Sequence, residues 1–213
     1  MIKKPKLVIF DLDGTLVNAY PAIISSFNFT MQELGYPQQD KQVICRAVGR
    51  GDKSLLKPFI KVKDLEKAIK SYRRHHYIAL RKDSTLFPGV DKLLSYLKDK
   101  DYELAVASNR PSSFSWILIR QLGLDKYFGY VLCADRLKHG KPHPEILRRV
   151  IKKFSLNPEE TIYVGDMAID AQAGRRAHVR TIVVTTGSST KAEIRRERPY
   201  KIIGRITDLS RIL

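Results

Sequence analysis

The sequence predicts an α/β protein in which a doubly wound parallel sheet carries an inserted all-helical segment. Short apolar runs rich in β-branched residues recur at wide spacing. Their continuous rather than alternating hydrophobicity is typical of strands buried on both faces. Helical patterns separate the later runs, which gives the β-α-β-α order of a parallel sheet. One long stretch near the amino terminus contains helical patterns alone.

The predicted strands are five apolar runs bounded by Gly, Pro, Asn or Asp. They cover residues 7–10, 103–107, 130–133, 161–164 and 181–184. Helices are predicted between them at 91–97, 111–122 and 144–154, two of which open on a proline. The basic, turn-rich tail at 191–205 predicts a surface helix followed by an edge strand.

Residues 16–85 predict a helical cap domain, with residues 1–15 and 86–213 forming the core. Within this stretch 20–34 and 65–80 have the pattern of long helices, with shorter ones between. A crossover between parallel strands needs one helix, so four of them favour an insert over a completed α/β layer. We expect His75 and His76 of this stretch to lie on the surface, and Trp116 to lie in the core.

Composition excludes several classes of protein. The chain has 213 residues, 43% of them apolar, and its 39 Lys and Arg against 22 Asp and Glu give a net charge of +17. No apolar run approaches the ~18 residues of a spanning helix, and no signal-peptide cleavage site follows the amino terminus. Two cysteines without CxxC spacing fit neither a zinc cluster nor a disulfide framework. These features predict a cytoplasmic protein with no membrane segment, whose basic charge either attracts an anionic partner or has no specific partner.

Two carboxylates follow the first predicted strand. Asp11 and Asp13 belong to the segment DLDGTLV and stand two residues apart. Reactive groups of open α/β sheets gather at the carboxyl ends of the strands, and alternate strand residues face the same side. Carboxylates so close repel one another unless a shared proton or a divalent cation neutralises them.

A second acidic pair follows the strand at 161–164. Asp166 and Asp170 are spaced i and i+4, so a helix beginning near residue 168 can turn both toward one cleft. The alternative is that they stabilise a helix N-terminus. Two acidic strand ends in one parallel sheet favour a site for a hard cation, and carboxylate oxygens with substrate phosphate suit Mg²⁺.

Two further strand ends offer groups that bind anions. Ser108 and Asn109 precede a helix that opens on a proline, where a hydroxyl and backbone N–H groups form an anion-binding corner. Their alternative role is helix capping. Lys141 precedes another proline-initiated helix, from which its ammonium can reach the same cleft as a phosphate partner.

These segments, in this order, resemble the four motifs of the haloacid dehalogenase-like superfamily, which implies a Rossmann-like core. They are DLDGTLV at 11–17, Ser108-Asn109, Lys141-Pro142, and Gly165-Asp166 with Asp170. FPGV at 87–90, which follows the helical insert, and VTTG at 184–187 resemble phosphoglycolate phosphatase-like members with a small helical cap. The resemblance covers essentially the whole chain.

The resemblance implies a role for each motif residue. Asp11 is expected as the nucleophile that forms an aspartyl-phosphate, and Asp13 as the general acid and base. Ser108, Asn109 and Lys141 are expected to bind the transferring phosphoryl group. Mg²⁺ is expected on the Asp11 side chain, the Asp13 backbone carbonyl and Asp166, with direct or water-mediated support from Asp170.

The predicted function is therefore Mg²⁺-dependent hydrolysis of a small phosphorylated metabolite, phosphoglycolate-like or a sugar phosphate, by a monomer or homodimer. Arg50 in the cap loop 48–52 is the candidate contact for a substrate anion, against the alternative of a plain surface arginine. A sugar phosphomutase of the same capped type is a second hypothesis. A basic nucleic-acid-binding protein is a third, disfavoured because no basic motif interleaved with aromatic residues is evident.

Overall fold

A six-stranded parallel sheet forms the centre of the computed structural model, which describes residues 4–213. Its strands, in the order in which they lie side by side, are β5 (Tyr130–Cys133), β4 (Glu103–Ser108), β1 (Leu7–Phe10), β6 (Thr161–Gly165), β7 (Arg180–Val184) and β8 (Lys201–Ile203). Every pairing between neighbours is parallel. The predicted strands are confirmed, including β8 at the edge.

Strand β1 lies at the centre of the sheet because all four of its side chains are apolar and buried. Val8 and Phe10 belong to the apolar cluster on one face, whereas Leu7 and Ile9 belong to the cluster on the other. Phe10 is in register with Val106 of β4 and with Val164 of β6. The residues that follow these three strands therefore emerge together at one edge of the sheet.

Helices cover both faces of the sheet, which confirms the doubly wound architecture. They are α5 (Val90–Asp99), α6 (Ser112–Gln121), α7 (Glu145–Lys153), α8 (Ala168–Ala177) and α9 (Lys191–Arg196). Apolar residues of α5 and α6 pack in the cluster that contains Val8 and Phe10, whereas those of α7 and α8 pack with Leu7 and Ile9. Each helix is amphipathic and turns its apolar side to the sheet.

Four helices stand between β2 (Val17–Asn18) and β3 (Thr85–Leu86), an antiparallel pair. They are α1 (Tyr20–Glu33), α2 (Lys41–Ala47), α3 (Asp52–Leu56) and α4 (Leu65–Asp83). The helical content of the insert is as predicted. The expectation of no strand in this stretch was wrong, because two-residue strands are too short to produce a periodic pattern.

Two side chains differ from their predicted burial. His76 is only 1% exposed, because it lies on the buried side of α4 with Ala68, Tyr72 and Ala79. Trp116 is 38% exposed. The buried side of α6 is formed by residues that precede and follow Trp116 in the sequence, so the Trp116 side chain lies outside that buried side. Both expectations were therefore wrong, and the one for His76 concerns the site described below.

Cys45 and Cys133 are both free thiols. No helix within residues 4–213 combines the length and the apolar character needed to cross a bilayer.

Candidate active site

Asp11 and Asp13 lie directly after β1, at the carboxyl edge of the sheet. The Asp11 amide still donates to the Val164 carbonyl of β6, at 2.8 Å, so the first carboxylate is fixed by the sheet itself. Both aspartates line one cavity, as predicted. Their carboxylates nevertheless have different partners, which divides the site into two parts.

Lys141 is the centre of the first part. Its Nζ lies 2.8 Å from Asp11 Oδ2, 2.8 Å from Asp170 Oδ1 and 3.0 Å from the Tyr163 hydroxyl. The Tyr163 hydroxyl also donates to Asp170 Oδ1, at 2.7 Å. Burial lowers the pKa of Lys141, but the two carboxylates outweigh burial and leave that pKa raised. The lysine is therefore a buried ammonium that joins two carboxylates.

Three carboxylates lie close enough to share a cation. Oxygen atoms of Asp11, Asp166 and Asp170 lie within 4.8 Å of one another. Burial raises the pKa of Asp11 to about 6, with Lys141 opposing the shift and Asp170 adding to it. Burial, together with Asp170 and Asp11, raises the pKa of Asp166 well above its ordinary value. The group carries more negative charge than its buried environment favours.

Two oxygens of this group have no partner among the described residues. They are Asp11 Oδ1 and Asp166 Oδ2, both buried. The other Asp166 oxygen accepts a hydrogen bond from the Thr15 hydroxyl at 3.1 Å. Unpaired buried carboxylate oxygens are costly, and a hard cation with oxygen ligands such as Mg²⁺ satisfies them. The donor set therefore fits the expected metal.

Asp170 has a different environment from the other two acids. Its Oδ1 accepts from Lys141 and Tyr163, and its Oδ2 accepts from the backbone amides of Asp166 at 3.2 Å and Met167 at 3.0 Å. Both oxygens are thus engaged by protein donors. This carboxylate orients Lys141 and the turn that carries Asp166, so it supports the cation site from behind.

The space around Asp166 depends on two glycines. A Cβ atom on Gly14 would lie 2.1 Å from Asp166 Oδ2, and one on Gly187 would lie 2.0 Å from the same oxygen. Backbone from the β1 turn and from the loop after β7 therefore passes against the unpaired oxygen. Only glycine permits this approach.

Arg110 is the centre of the second part of the site. The sequence analysis did not identify it as a functional residue. Its Nε lies 2.6 Å from Asp13 Oδ2 and its Nη2 2.8 Å from Asp13 Oδ1, a bidentate ion pair. Its Nη1 lies 2.7 Å from His76 Nε2 on α4. The available signal was its position directly after Ser108 and Asn109 at the end of β4.

Ser108 and Asn109 both line the cavity, as predicted. Ser108 is 2% exposed. The Asn109 side-chain amide donates to the Gly49 carbonyl at 2.8 Å and to the Lys141 carbonyl at 3.0 Å, and its oxygen accepts from the Lys141 amide at 2.8 Å. Asn109 therefore joins the end of β4 to the Lys141 segment and to the insert.

The cavity, about 70 Å³ in volume, lies between the sheet edge and the helical insert. The sheet side contributes most of the polar residues. The insert contributes the apolar side chains of Ile23 and Leu55, together with Tyr72, Asp52 and His76. Arg50 does not line this cavity. It is exposed and lines a neighbouring groove, together with Arg46 and Glu193. The structure thus brings together every predicted site residue except Arg50.

The sequence model of the haloacid dehalogenase-like hydrolase family matches residues 8–184. The chain belongs to this family. A phosphoglycolate phosphatase of Nitrosococcus oceani is 29% identical, over 100% of this chain and 98% of its own length. One from Haemophilus influenzae is 30% identical, over 98% of each chain. The crystal structure described as a predicted phosphoglycolate phosphatase from Haemophilus somnus has a TM-score of 0.93 at 27% identity, covering 100% of this chain and 99% of that one.

Family membership agrees with the expected order of motifs. The matched region begins in β1 and ends with β7, so it contains all the aspartates of the site. The chain is accordingly a hydrolase of the haloacid dehalogenase-like family, with the Rossmann-like core that the resemblance implied.

Proposed function

We propose that the protein is a Mg²⁺-dependent phosphatase that hydrolyses a small phosphorylated metabolite through an aspartyl-phosphate on Asp11. The observation that carries this proposal is the environment of the Asp11 carboxylate. One of its oxygens is held by Lys141 at 2.8 Å, the other is buried without a partner among the described residues, and Asp11 lines the cavity. A fixed carboxylate beside an ammonium is suited to attack phosphorus and to hold the transferred group.

The reaction would proceed in two displacements at phosphorus. An Asp11 oxygen forms a bond to phosphorus while the ester bond breaks, and Asp13 gives a proton to the departing alcohol oxygen. Asp13 then takes a proton from a water molecule, whose oxygen attacks the same phosphorus and frees Asp11 and inorganic phosphate. Ser108 and Lys141 would bind the phosphoryl oxygens, and Asn109 would keep both in place.

Asp11, the backbone carbonyl of Asp13, and Asp166 would hold the Mg²⁺, with Asp170 behind them. The cation would neutralise charge on the phosphoryl group and on the buried carboxylates. Positioning and charge neutralisation supply most of the catalysis in phosphoryl transfer.

We further propose that residues 16–85 act as a cap that closes the site around a small substrate. Support comes from contacts between the insert and the core, one at the cavity and one at the neighbouring groove. Asn109 bonds the Gly49 carbonyl, and Arg46 of α2 pairs with Glu193 of α9, with an N–O distance of 2.6 Å. Arg50 keeps its proposed contact with a substrate anion through the neighbouring groove, and the cytoplasm stays the expected compartment.

The test measures phosphate release from a generic aryl phosphate, with and without Mg²⁺, by wild type and Asp11→Asn. We expect turnover only with Mg²⁺, and a loss in the variant of more than about 10³-fold. Asp125→Asn, which changes an exposed aspartate in the same way, should keep wild-type activity. Metal-independent turnover, or an active Asp11→Asn variant, would overturn the proposal.

Product analysis separates the two alternatives from the proposed phosphatase. Incubation with a hexose 1-phosphate yields free phosphate from a phosphatase and an isomerised sugar phosphate from a phosphomutase. Binding of an oligonucleotide with a steep salt dependence would instead support the nucleic-acid hypothesis.

A further inference from the structure

Arg110 has an unusual position in the cavity. Of the described residues that line it, Arg110 alone carries a full positive charge. Its side chain is 6% exposed, and its fork binds both oxygens of Asp13. A buried guanidinium needs such a partner, because an unpaired charge in this environment is strongly unfavourable.

His76 fixes the remaining edge of the guanidinium from the helical insert. Its Nε2 accepts from Arg110 Nη1, and its Nδ1 lies 3.0 Å from Ser26 Oγ, which itself donates to the Ala22 carbonyl at 2.7 Å. These partners require a neutral ring with the proton on Nδ1. Burial and the nearby arginine agree with this, since they lower the pKa of His76 to about 2.

Packing holds the His76 ring in that orientation. Tyr72 stacks on it with ring centroids 4.8 Å apart, and Phe114 meets it edge-on at 5.1 Å. Arg110 is thus bound from α4 on one side and by Asp13 on the other. The arginine therefore keeps its place whichever carboxylate occupies its fork.

The ion pair conflicts with the role proposed for Asp13. A general acid must bring its carboxyl to the departing oxygen, yet the bidentate pair occupies both Asp13 oxygens. Withdrawing Asp13 alone would leave the guanidinium fork unpaired and buried. The other carboxylates that line the cavity are already paired, Asp11 with Lys141 and Asp52 with Arg73. A replacement therefore has to come from the substrate.

We propose that Arg110 is the specificity-determining residue, and that a carboxylate on the alcohol part of the substrate replaces Asp13 in its fork. The exchange of one carboxylate for another keeps the guanidinium paired. It also frees Asp13 to reach the leaving oxygen, so binding of the correct substrate releases the general acid. This inference rests on the proposed function. It selects the phosphoglycolate-like substrate over the sugar phosphate, because only the former has a carboxylate close to the ester oxygen.

The same geometry makes His76 a positioning residue for Arg110. A Gln at position 76 can present its amide oxygen to Arg110 Nη1, whereas a Leu cannot. His76→Leu should therefore weaken discrimination between acidic and neutral substrates, and His76→Gln should restore most of it. A purely structural role would lower the activity on both substrates equally.

The test compares kcat/KM for phosphoglycolate with kcat/KM for its neutral amide, which has nearly the same shape. In wild type the acid should exceed the amide by about 10²-fold, the value of a charge-assisted bidentate contact. Arg110→Gln should bring the ratio close to one, and Arg110→Lys should keep part of the preference. Arg120→Gln, at an exposed position of α6, should leave the ratio unchanged.

A binding measurement tests the exchange without turnover. Asp13→Asn removes the competing carboxylate, so phosphoglycolate should bind this variant about tenfold more tightly than wild type, with the affinity for the amide unchanged. Equal affinities of Asp13→Asn and wild type for phosphoglycolate would overturn the inference. A wild-type kcat/KM ratio of acid to amide near one would also overturn the inference, and that measurement does not depend on the folding of a variant.

The two proposals fail in different ways. A wild-type protein that releases phosphate from no ester contradicts the proposed function, and the Asp13→Asn affinities still test the fork. A wild-type protein that hydrolyses the acid and the amide equally well retains the proposed function and contradicts the role of Arg110.

Discussion

Burial of the Asp166 carboxylate is costly before a cation binds. Its raised pKa means that the folded state disfavours the carboxylate, so stability is lost as pH rises above the ordinary value of 3.8. At pH 7 we expect Asp166→Asn to stabilise the metal-free protein by about 1 kcal/mol. Mg²⁺ should raise the melting temperature of wild type and leave that of the variant unchanged.

Thermal melts with and without Mg²⁺ at pH 7 check this, with Asp125→Asn as the control. The Asp11 carboxyl adds a second dependence on pH. Because its pKa in the folded protein is about 6, the protein loses stability through this group as pH rises from 3.8 to about 6. The stabilisation by Mg²⁺ should therefore fade as pH falls through this window. An Asp166→Asn protein that Mg²⁺ still stabilises would refute the assigned cation site.

His76 gives the opposite dependence on pH. Its folded pKa of about 2 lies far below the ordinary 6.5, so the unfolded chain binds a proton that the folded one does not. Stability should fall below pH 6.5 by about 1.4 kcal/mol per unit from this group. Urea unfolding of wild type and His76→Gln between pH 5 and 7 measures the difference in slope. Parallel slopes would show that His76 is protonated in the fold.

Among the elements of the fold, the turn after β1 affects the site through its backbone conformation. Gly14 and Gly35 both have positive φ angles, +77° and +70°. Substitution by alanine at either position lowers the free energy of unfolding by about 1–2 kcal/mol, because the left-handed conformation is unfavourable for a residue with a Cβ atom. Only at Gly14 would its Cβ meet Asp166, because nothing lies within 4 Å of the corresponding atom at Gly35.

The two substitutions form a matched pair. Gly14→Ala should abolish Mg²⁺-dependent phosphate release. Gly35→Ala carries the same backbone cost without the contact to Asp166, so it should lower the melting temperature with activity retained. Assays well below both melting temperatures separate the effects. Equal activity of the two variants would mean that Asp166 tolerates displacement.

Sequence periodicity predicted the helices and strands that are long enough to produce a repeating hydrophobic pattern. The buried run of β1 predicted a central strand, and parallel order then placed Asp11 and Asp166 at one edge. An amphipathic segment that stops at Gly35 predicted α1, and a second long helical pattern predicted α4. Parallel sheets make such inferences possible because their strand ends converge by topology.

Contacts between the insert and the core escaped prediction for a physical reason. The partner of Arg110 is a histidine 34 positions earlier, and nothing local in the sequence of α4 marks His76 as buried beside a cation. Asn109 was predicted as a substrate contact, yet its amide is engaged by backbone groups of two loops. Such pairings depend on how the helices dock.

Across the whole molecule, charge is distributed unevenly. The chain carries +17 overall, yet Asp11 and Asp13 line one cavity, and Asp166 and Asp170 cluster with Asp11. Lys141 and Arg110 pair with members of this group, so four carboxylates less two cations leave two negative charges. One divalent cation balances that remainder. The basic surface then attracts an anionic substrate toward a site that the cation has made neutral.

The proposed function depends on transfer of the phosphoryl group to Asp11. Rapid acid quenching during turnover of phosphoglycolate with Mg²⁺, followed by mass analysis of the peptides, tests it most directly. We predict one added phosphoryl group on the peptide that contains Asp11, and none in Asp11→Asn. Turnover with no phosphorylated peptide, or with the phosphoryl group on another residue, would contradict an aspartyl-phosphate on Asp11.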